Sequence, residues 1–268
     1  MGAKKRHTQN FSNPDICLPL KIMFAFIQAR MGSSRLPGKM ALQLPDGKTL
    51  LEAVISRLGA HKITPVLLTT TQPSDNALVE IANQLKLSVF RGDENHVLNR
   101  FTEAAKHFQI SDDKFILRIC ADNPYLSHWI IDQTIQKTKE LPQADYISYA
   151  HQNKPGIKHH TGIFVEAVKV GALKAVESQN NPWYNEHVTI GVYENPDQYN
   201  ISYIEIPTEW HPNFLSIRLT IDDADDWAFC QATYDSLCHL DFPEQRRLLL
   251  SEKSWVTLME NQIKKYQK

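Results

Sequence analysis

Three cations and a cluster of small residues share one short stretch: Arg30, Arg35 and Lys39 lie among Gly32, Ser33, Ser34, Pro37 and Gly38. Glycine lets a backbone pass close to a ligand and lets successive N–H groups converge on an anion. Arginine adds forked donors and lysine a point charge, a combination suited to a polyphosphate. Two carboxylates further along could serve the same chemistry. Asp122 follows the apolar run Phe115–Cys120, and Asp222 follows Ser216–Ile221. A carboxylate beside a triphosphate is a usual way to hold Mg²⁺, with waters completing an octahedron. Plainer readings stand beside these: a basic surface turn, a cap for the Asp122-Asn123-Pro124 turn, and acidic residues that complement a helix dipole at Asp222–Asp226.

The surrounding elements favour the chemical reading. Ile22–Ile27 is a continuous apolar run, the pattern of a strand buried on both faces. Thr49 caps a helix reaching His61, and Ile63–Thr71 reads as the second strand. Ser74 is placed to cap a helix that turns Leu78, Ile81, Ala82 and Leu85 inward, and Leu87–Phe90 is a short third strand. The segment Arg91–Glu94 breaks the pattern before a helix over His96–Phe108. Strands then fall at Phe115–Cys120, Ala144–Ala150, Tyr199–Ile206 and Ser216–Ile221, with a helix at Ser127–Glu140. Strands and helices that alternate so closely require parallel pairing and right-handed crossovers, hence an α/β fold. In such a sheet the basic loop and Asp122 lie at one carboxyl edge, where open α/β folds bind ligands. Together these parts suit attack on the α-phosphorus of a nucleoside triphosphate, with pyrophosphate leaving.

Bulk properties set the remaining bounds. The chain has 268 residues, 42% hydrophobic and 22% charged, the make-up of an ordinary globular protein. Its 29 basic and 30 acidic residues leave a net charge of −1, so no global field draws it to nucleic acid or to a membrane. Cys17, Cys120, Cys230 and Cys238 form no C-x-x-C pair and read as free thiols of a reducing cytoplasm. Residues 1–20 are polar and read as a flexible arm; Pro19 and Lys21 interrupt the apolar stretch that a signal peptide would need. The His-rich tract from His151 to His160 invites a zinc reading. With no cysteine nearby and no second histidine pair at metal spacing, that reading is set aside.

The loop matches neither GxxxxGK[ST], since Met40 follows Lys39, nor GxGxxG. Its form, ARMGSSRLPGK from Ala29 to Lys39, resembles the signature of cytidylyltransferases that make CMP-activated acidic sugars. These include CMP-Kdo and CMP-sialate synthetases, and the spore-coat polysaccharide F-type branch is the nearest. That branch is also resembled by RGDENHVLNRF from Arg91, RICADNPYL from Arg118, GIFVEAV from Gly162, Glu186-His187-Val188-Thr189, and RLTIDDADD from Arg218. HTGIF from His160 is similar to an element of the Kdo branch. Ala121 stands where the family has glycine, Leu126 falls one residue late, and Asp223-Ala224 replaces Thr-Pro.

The resemblance implies a three-layer α/β/α nucleotidyltransferase fold, Rossmann-like, with a predominantly parallel mixed sheet. It implies CTP as donor, an acidic sugar as acceptor, and Mg²⁺ held by Asp122 and Asp222. Gln28, Ala29, Arg30, Gly32, Ser33, Arg35, Lys39, Arg91, Arg100 and Asp122 would meet the nucleotide, with Arg30 and Lys39 stabilising charge in the transfer. His160, Glu166, Glu186 and His187 would face the sugar. A single domain from residue 21 would carry a sugar-binding and dimerisation insertion around 150–215 and a helical segment at 227–268, and would form a homodimer. Alternatives are a same-fold enzyme with another nucleotide or a non-acidic acceptor, and a sugar-nucleotide-binding glycosyltransferase or non-catalytic subunit.

Overall fold

Alternation organises the first strand. A computed structural model describes residues 23–266, so the expected N-terminal arm, Cys17 and Ile22 lie outside the described residues. In β1 (Met23–Gln28), Ala25 and Ile27 enter one apolar cluster and Phe26 the other, all three without exposed surface. A period of two with both faces covered is what a central strand of a layered α/β protein requires. α1 (Leu50–Leu58) opens with a capping box: the Glu52 N–H donates to Thr49 Oγ1 at 3.2 Å, and the Thr49 N–H donates to Glu52 Oε2 at 2.7 Å. β2 (Ile63–Thr70) follows.

α2 (Asn76–Gln84) begins later than a Ser74 cap would place it, because Pro73–Asp75 first makes a 3-10 turn. Asp75 is drawn inward instead, accepting from Thr69 Oγ1 at 3.0 Å and from Thr70 N–H at 3.1 Å. β3 (Ser88–Gly92) runs on through Arg91 and Gly92, which pair with Thr69 and Thr70 of β2 rather than breaking the strand. α3 (Val97–His107) and β4 (Phe115–Cys120) come next. α4 (His128–Glu140) is capped by Ser127, and β5 (Tyr146–His151) turns into β6 (Lys154–Pro155). Then follow β7 (Glu166–Lys169), α5 (Val170–Glu177), α6 (Pro182–Glu186), α7 (Ile190–Tyr193) and β8 (Ile201–Glu205). α8 (Ala224–Leu237), α9 (Phe242–Ser251) and α10 (Lys253–Tyr266) complete the described chain.

Among the described residues eight strands form one sheet in the order β3-β2-β1-β4-β7-β5-β6, with β8 on β5. β1 to β4 pair in parallel, as do β5 and β8, whereas β7 runs antiparallel between β4 and β5. α1, α2, α4, α8, α9 and α10 cover one face, and α3 and α5 the other. This is the three-layer α/β/α arrangement with a mostly parallel mixed sheet that the sequence leads one to expect. The chain leaves β1 toward β2 on one side and returns to β4 on the other. The strand order therefore reverses at the carboxyl ends of β1 and β4, and a crevice opens there.

The expected strand at Ser216–Ile221 does not form. Phe214–Ser216 is a 3-10 turn, and Ile217–Ile221 runs extended without joining a strand ladder. Its backbone bonds run to neighbours outside the sheet: Leu219 N–H donates to His160 O at 3.2 Å, Ile221 N–H to Asp122 O at 2.9 Å, and Arg218 N–H to Met259 Sδ of α10 at 3.4 Å. Among the described residues no helix is long and apolar enough to cross a membrane.

Candidate active site

Gln28 at the end of β1 lies opposite Cys120 at the end of β4, so the loop that starts at Ala29 and the turn that holds Asp122 begin side by side. The loop folds on itself around Met31. Met31 N–H donates to Asp75 Oδ1 at 2.8 Å, and Met31 O accepts from Gly38 N–H at 3.0 Å. Gly38 has φ +71°, a left-handed conformation that glycine adopts freely, and it delivers Lys39 into the crevice. Ser33, expected to meet the nucleotide, turns its N–H onto Met31 O at 2.9 Å and accepts from Leu36 N–H at its Oγ at 3.3 Å, so the hydroxyl proton is the donor it has left for a ligand.

The loop cations reach both aspartates. Lys39 Nζ donates to Asp122 Oδ2 at 3.1 Å and to Ile221 O at 2.7 Å. Arg35 Nη2 donates to Asp222 Oδ1 at 2.7 Å, and Arg30 stands 3.8 Å from Glu94 across the opening. Asp222 is fixed from behind by a buried network. Arg218 donates to Asp222 Oδ2 at 2.9 Å and holds Asp226 through Nε and Nη2 at 2.7 and 2.6 Å. The Asp222 N–H donates to Asp226 as well, and Arg218 Nη1 lies 2.7 Å from His160 Nδ1. Burial and the adjacent guanidinium push the His160 imidazole down, which keeps it neutral beside Arg218.

Gly162, at φ +67°, lets this wall close. A Cβ there would sit 2.7 Å from Thr220 N and 2.9 Å from Leu219 C. The last turn of α10 supports the same wall. The Tyr266 ring has Arg35 4.8 Å and Arg218 4.7 Å from its centroid, and its hydroxyl donates to Asp223 Oδ2 at 2.6 Å. Asp223 caps α8; partial burial opposes its ionisation, but bonds from Lys265 and Tyr266 hold its carboxyl well below the usual range.

Two cavities meet at the aspartates. The larger, about 600 Å³, is lined on the loop side by Gln28, Ala29, Arg30, Ser33, Arg35 and Lys39; Glu186 at the end of α6 and His187 after it, both expected at the sugar, line this cavity and not the smaller one. The smaller, about 240 Å³, is lined by Asn123, His159, His160, Gly162 and Glu166. Arg118, Cys120, Asp122 and Asp222 line both. Glu166 is buried at this junction in an ion pair with Arg118 Nη1 at 2.5 Å, and it also accepts from Tyr146 and from Thr189 Oγ1. Burial, with Asp122 nearby, pushes the Cys120 thiol up to about 11, which removes it as a nucleophile at neutral pH.

Two expected contacts stand apart from the cleft. Arg91 donates to Thr70 O, Gln72 O and Asn76, bracing the turn after β2. Arg100 is buried under Gly92 with Nη1 on Asp93 O at 3.1 Å; burial and the nearby Arg30 charge depress its basicity. Gly32 belongs to the loop but does not line either cavity. Conversely, Glu94, Arg118, Arg218 and Tyr266 enter the site without having been singled out from sequence. Arg118 and Arg218 each stand four residues ahead of an aspartate of the site, a repeated spacing that could have revealed them.

The donor set at the junction fits a hard divalent cation. Both side chains are partly open, Asp122 at 29% and Asp222 at 21% exposure, and Asp122 Oδ1 accepts no hydrogen bond from the described residues. Two carboxylates with room for water and phosphate oxygens are ligands of the Mg²⁺ type.

Comparison with known proteins gives the family. The family model described as cytidylyltransferase matches residues 24–255. An uncharacterised protein of Methanocaldococcus jannaschii is 37% identical over 208 residues, covering 76% of this chain and 80% of its own. The spore coat polysaccharide biosynthesis protein SpsF of Bacillus subtilis is 30% identical over 218 residues, covering 78% and 84%. A solved cytidylyltransferase from Leptospira borgpetersenii superposes with a TM-score of 0.77 at 27% identity, covering 88% of this chain and 97% of that one. The chain belongs to the cytidylyltransferase family and is an enzyme of that class.

Proposed function

We propose that the enzyme transfers CMP from CTP to a hydroxyl of an acidic sugar and releases pyrophosphate, in the making of a surface polysaccharide precursor. One observation carries this reading: Asp122 and Asp222, tied to loop cations Lys39 and Arg35, stand where a larger and a smaller cavity join. The triphosphate is assigned to the larger cavity and the sugar to the smaller, so the acceptor hydroxyl meets the α-phosphorus at their junction. Holding both reactants there supplies the orientation on which such reactions depend.

The acceptor oxygen forms the new bond to the α-phosphorus, its proton passes to solvent, and pyrophosphate leaves with the electron pair of the broken bond. Arg30, Arg35 and Lys39 neutralise the charge that develops on the departing group. Asp122 and Asp222 would hold Mg²⁺, which lowers the pKa of the hydroxyl and withdraws charge from the phosphate. Gln28 Oε1 is buried beside the larger cavity with no donor from the described residues, and the exocyclic amine of cytosine is a donor of the required kind. Lys158, paired with Glu194 at 2.8 Å in this structure, and His160 line the smaller cavity and supply the groups for an acidic sugar. Cys120, Cys230 and Cys238 are free thiols, in keeping with work in the cytoplasm, where CTP is available.

A neutral acceptor is the second reading, favoured by the Glu166–Arg118 pair, which cancels the buried cation at the junction. Pyrophosphate release from each nucleoside triphosphate, with Mg²⁺ and a panel of acidic and neutral sugars, tests both. Release confined to CTP with an acidic sugar supports the first reading. Release with neutral sugars alone favours the second, and release with no sugar at all removes both. Sedimentation of the full chain at micromolar concentration tests the homodimer that the family resemblance implies.

A further inference from the structure

Behind the acceptor wall, the ends of two neighbouring strands gather three side chains that ligate metals. His151 closes β5, Glu205 closes β8, and His211 follows the 3-10 turn at Thr208–Trp210. His151 Nδ1 is 3.1 Å from Glu205 Oε1, and His211 Nε2 is 3.5 Å from the same oxygen. One ligand atom from each residue lies within 4.8 Å of the other two. Tetrahedral Zn²⁺ with bonds of about 2.0–2.1 Å sets neighbouring ligand atoms about 3.3–3.4 Å apart. The two measured edges bracket that spacing. The third edge closes by no more than about 1.4 Å to reach it, a movement open to the half-exposed side chains of Glu205 and His211.

The surroundings suit a bound ion. His151 is buried, with the Phe214 ring 5.3 Å and the His211 ring 4.8 Å from its own. His159 packs on the same Phe214 at 5.7 Å, so the cluster lies directly behind residues that line the smaller cavity. Phe214 gives the buried histidine an apolar backing that limits water on that side, while Glu205 and His211 stay partly open. Glu205 Oε1 also accepts from Gln152 N–H at 3.1 Å, an outer contact that orients the carboxylate. His211 Nε2 is 3.2 Å from Ile206 O; ligation requires its proton on Nδ1 and replaces that contact.

We propose that His151, Glu205 and His211 form a three-ligand site for a divalent transition ion of the zinc type, its fourth position taken by water. The ion clamps the β5–β8 edge to the segment that leads into Arg218 and Asp222. Two nitrogens and one carboxylate oxygen are borderline ligands, which select Zn²⁺ or Co²⁺ over the Mg²⁺ expected at the all-oxygen junction.

The test is a Co²⁺ titration of the full chain, stripped of metal, free of tag histidines and held in excess Mg²⁺. The expected result is one equivalent of Co²⁺ with the intense visible absorption of a tetrahedral ion, displaced by Zn²⁺. His211→Ala, at a partly exposed position, should weaken binding by more than about 100-fold, beyond what loss of an outer contact causes, with the circular dichroism unchanged. Glu205→Gln should weaken it in the same direction, and Asp122→Asn should leave it as in the parent. Absence of tetrahedral absorption would overturn the site and leave a hydrogen-bonded His–Glu–His cluster. Binding unchanged in His211→Ala and lost in Asp122→Asn would place the ion at the junction of the cavities and overturn it equally.

Discussion

Asp122 stands two residues beyond β4, whose pairing with β1 from Phe24 and Ile116 to Gln28 and Cys120 fixes the backbone beneath it. Asp222 ends a segment that joins no strand; apart from isolated main-chain bonds such as Ile221 N–H to Asp122 O, its position rests on side chains: Arg218, Asp226, Arg35 and, more remotely, Tyr266. One wall of the cleft is thus held by main-chain hydrogen bonds that almost any sequence of suitable pattern can make. The other is held by a buried charge network that tolerates few replacements. The first wall should survive the loss of single side chains and lose only chemistry. The second should lose its shape.

The sharpest way to separate the walls is Asp226→Ala, which leaves Arg218 buried and half unpaired. It should cost about 3–5 kcal/mol of stability, read from urea unfolding, and should raise KM for the sugar more than for CTP. An effect below about 1 kcal/mol would mean that the second wall does not depend on its ion pairs. Lys39→Ala is the counterpart at the first wall. With the backbone held by β1 and β4, it should lower turnover about 10²–10³-fold in steady-state kinetics and leave the unfolding midpoint close to that of the parent.

Asp75→Ala probes the side chain that anchors the start of the loop through the Met31 N–H. It frees the Met31 N–H and the hydroxyls of Thr69 and Thr70, and should cost about 1–3 kcal/mol in chemical denaturation while raising KM for CTP. Burial alone would raise the Asp75 carboxyl, but the donors from Thr70, Met31 and Thr69 bring it below its ordinary value of 3.8. A carboxylate lowered in the folded state lends stability above its unfolded pKa and withdraws it as pH falls through the folded one. The parent should therefore lose stability below about pH 3.8 more steeply than Asp75→Asn. Tyr266→Phe should have the smallest effect, under about 1 kcal/mol, since the ring stays against both guanidinium groups and only the bond to Asp223 is lost.

The same contrast explains what could be read from the chain. β1, the loop from Ala29 to Lys39 and Asp122 were legible because each is a local pattern: an apolar run, a glycine- and cation-rich turn, and a carboxylate at a strand end. The capping box at Thr49 and Glu52 was half legible, since one of its two residues marked the helix start. Ser74 misled because Asp75, next to it, found buried hydroxyls and shifted the helix by a 3-10 turn. The extended run before Asp222 has the composition of a strand but no ladder to join, and composition cannot tell the two apart. Arg91 and Arg100 sit in a segment that resembles the family, yet both side chains turn to backbone carbonyls near β3. The pair Arg118–Glu166 and the gathering of His151, Glu205 and His211 arise from burial and from contacts across distant sequence. No local pattern announces them.

The proposed transfer requires the two aspartates to act as one unit at the junction of the cavities. Single-turnover CMP transfer by Asp122→Asn, Asp222→Asn and the double variant measures that directly. Each single change should lower the rate about 10²–10³-fold, and the double should be no more than about tenfold slower than the worse single, because a shared function can be lost only once. A double variant slowed by the product of the two losses would show two independent carboxylates and contradict the account.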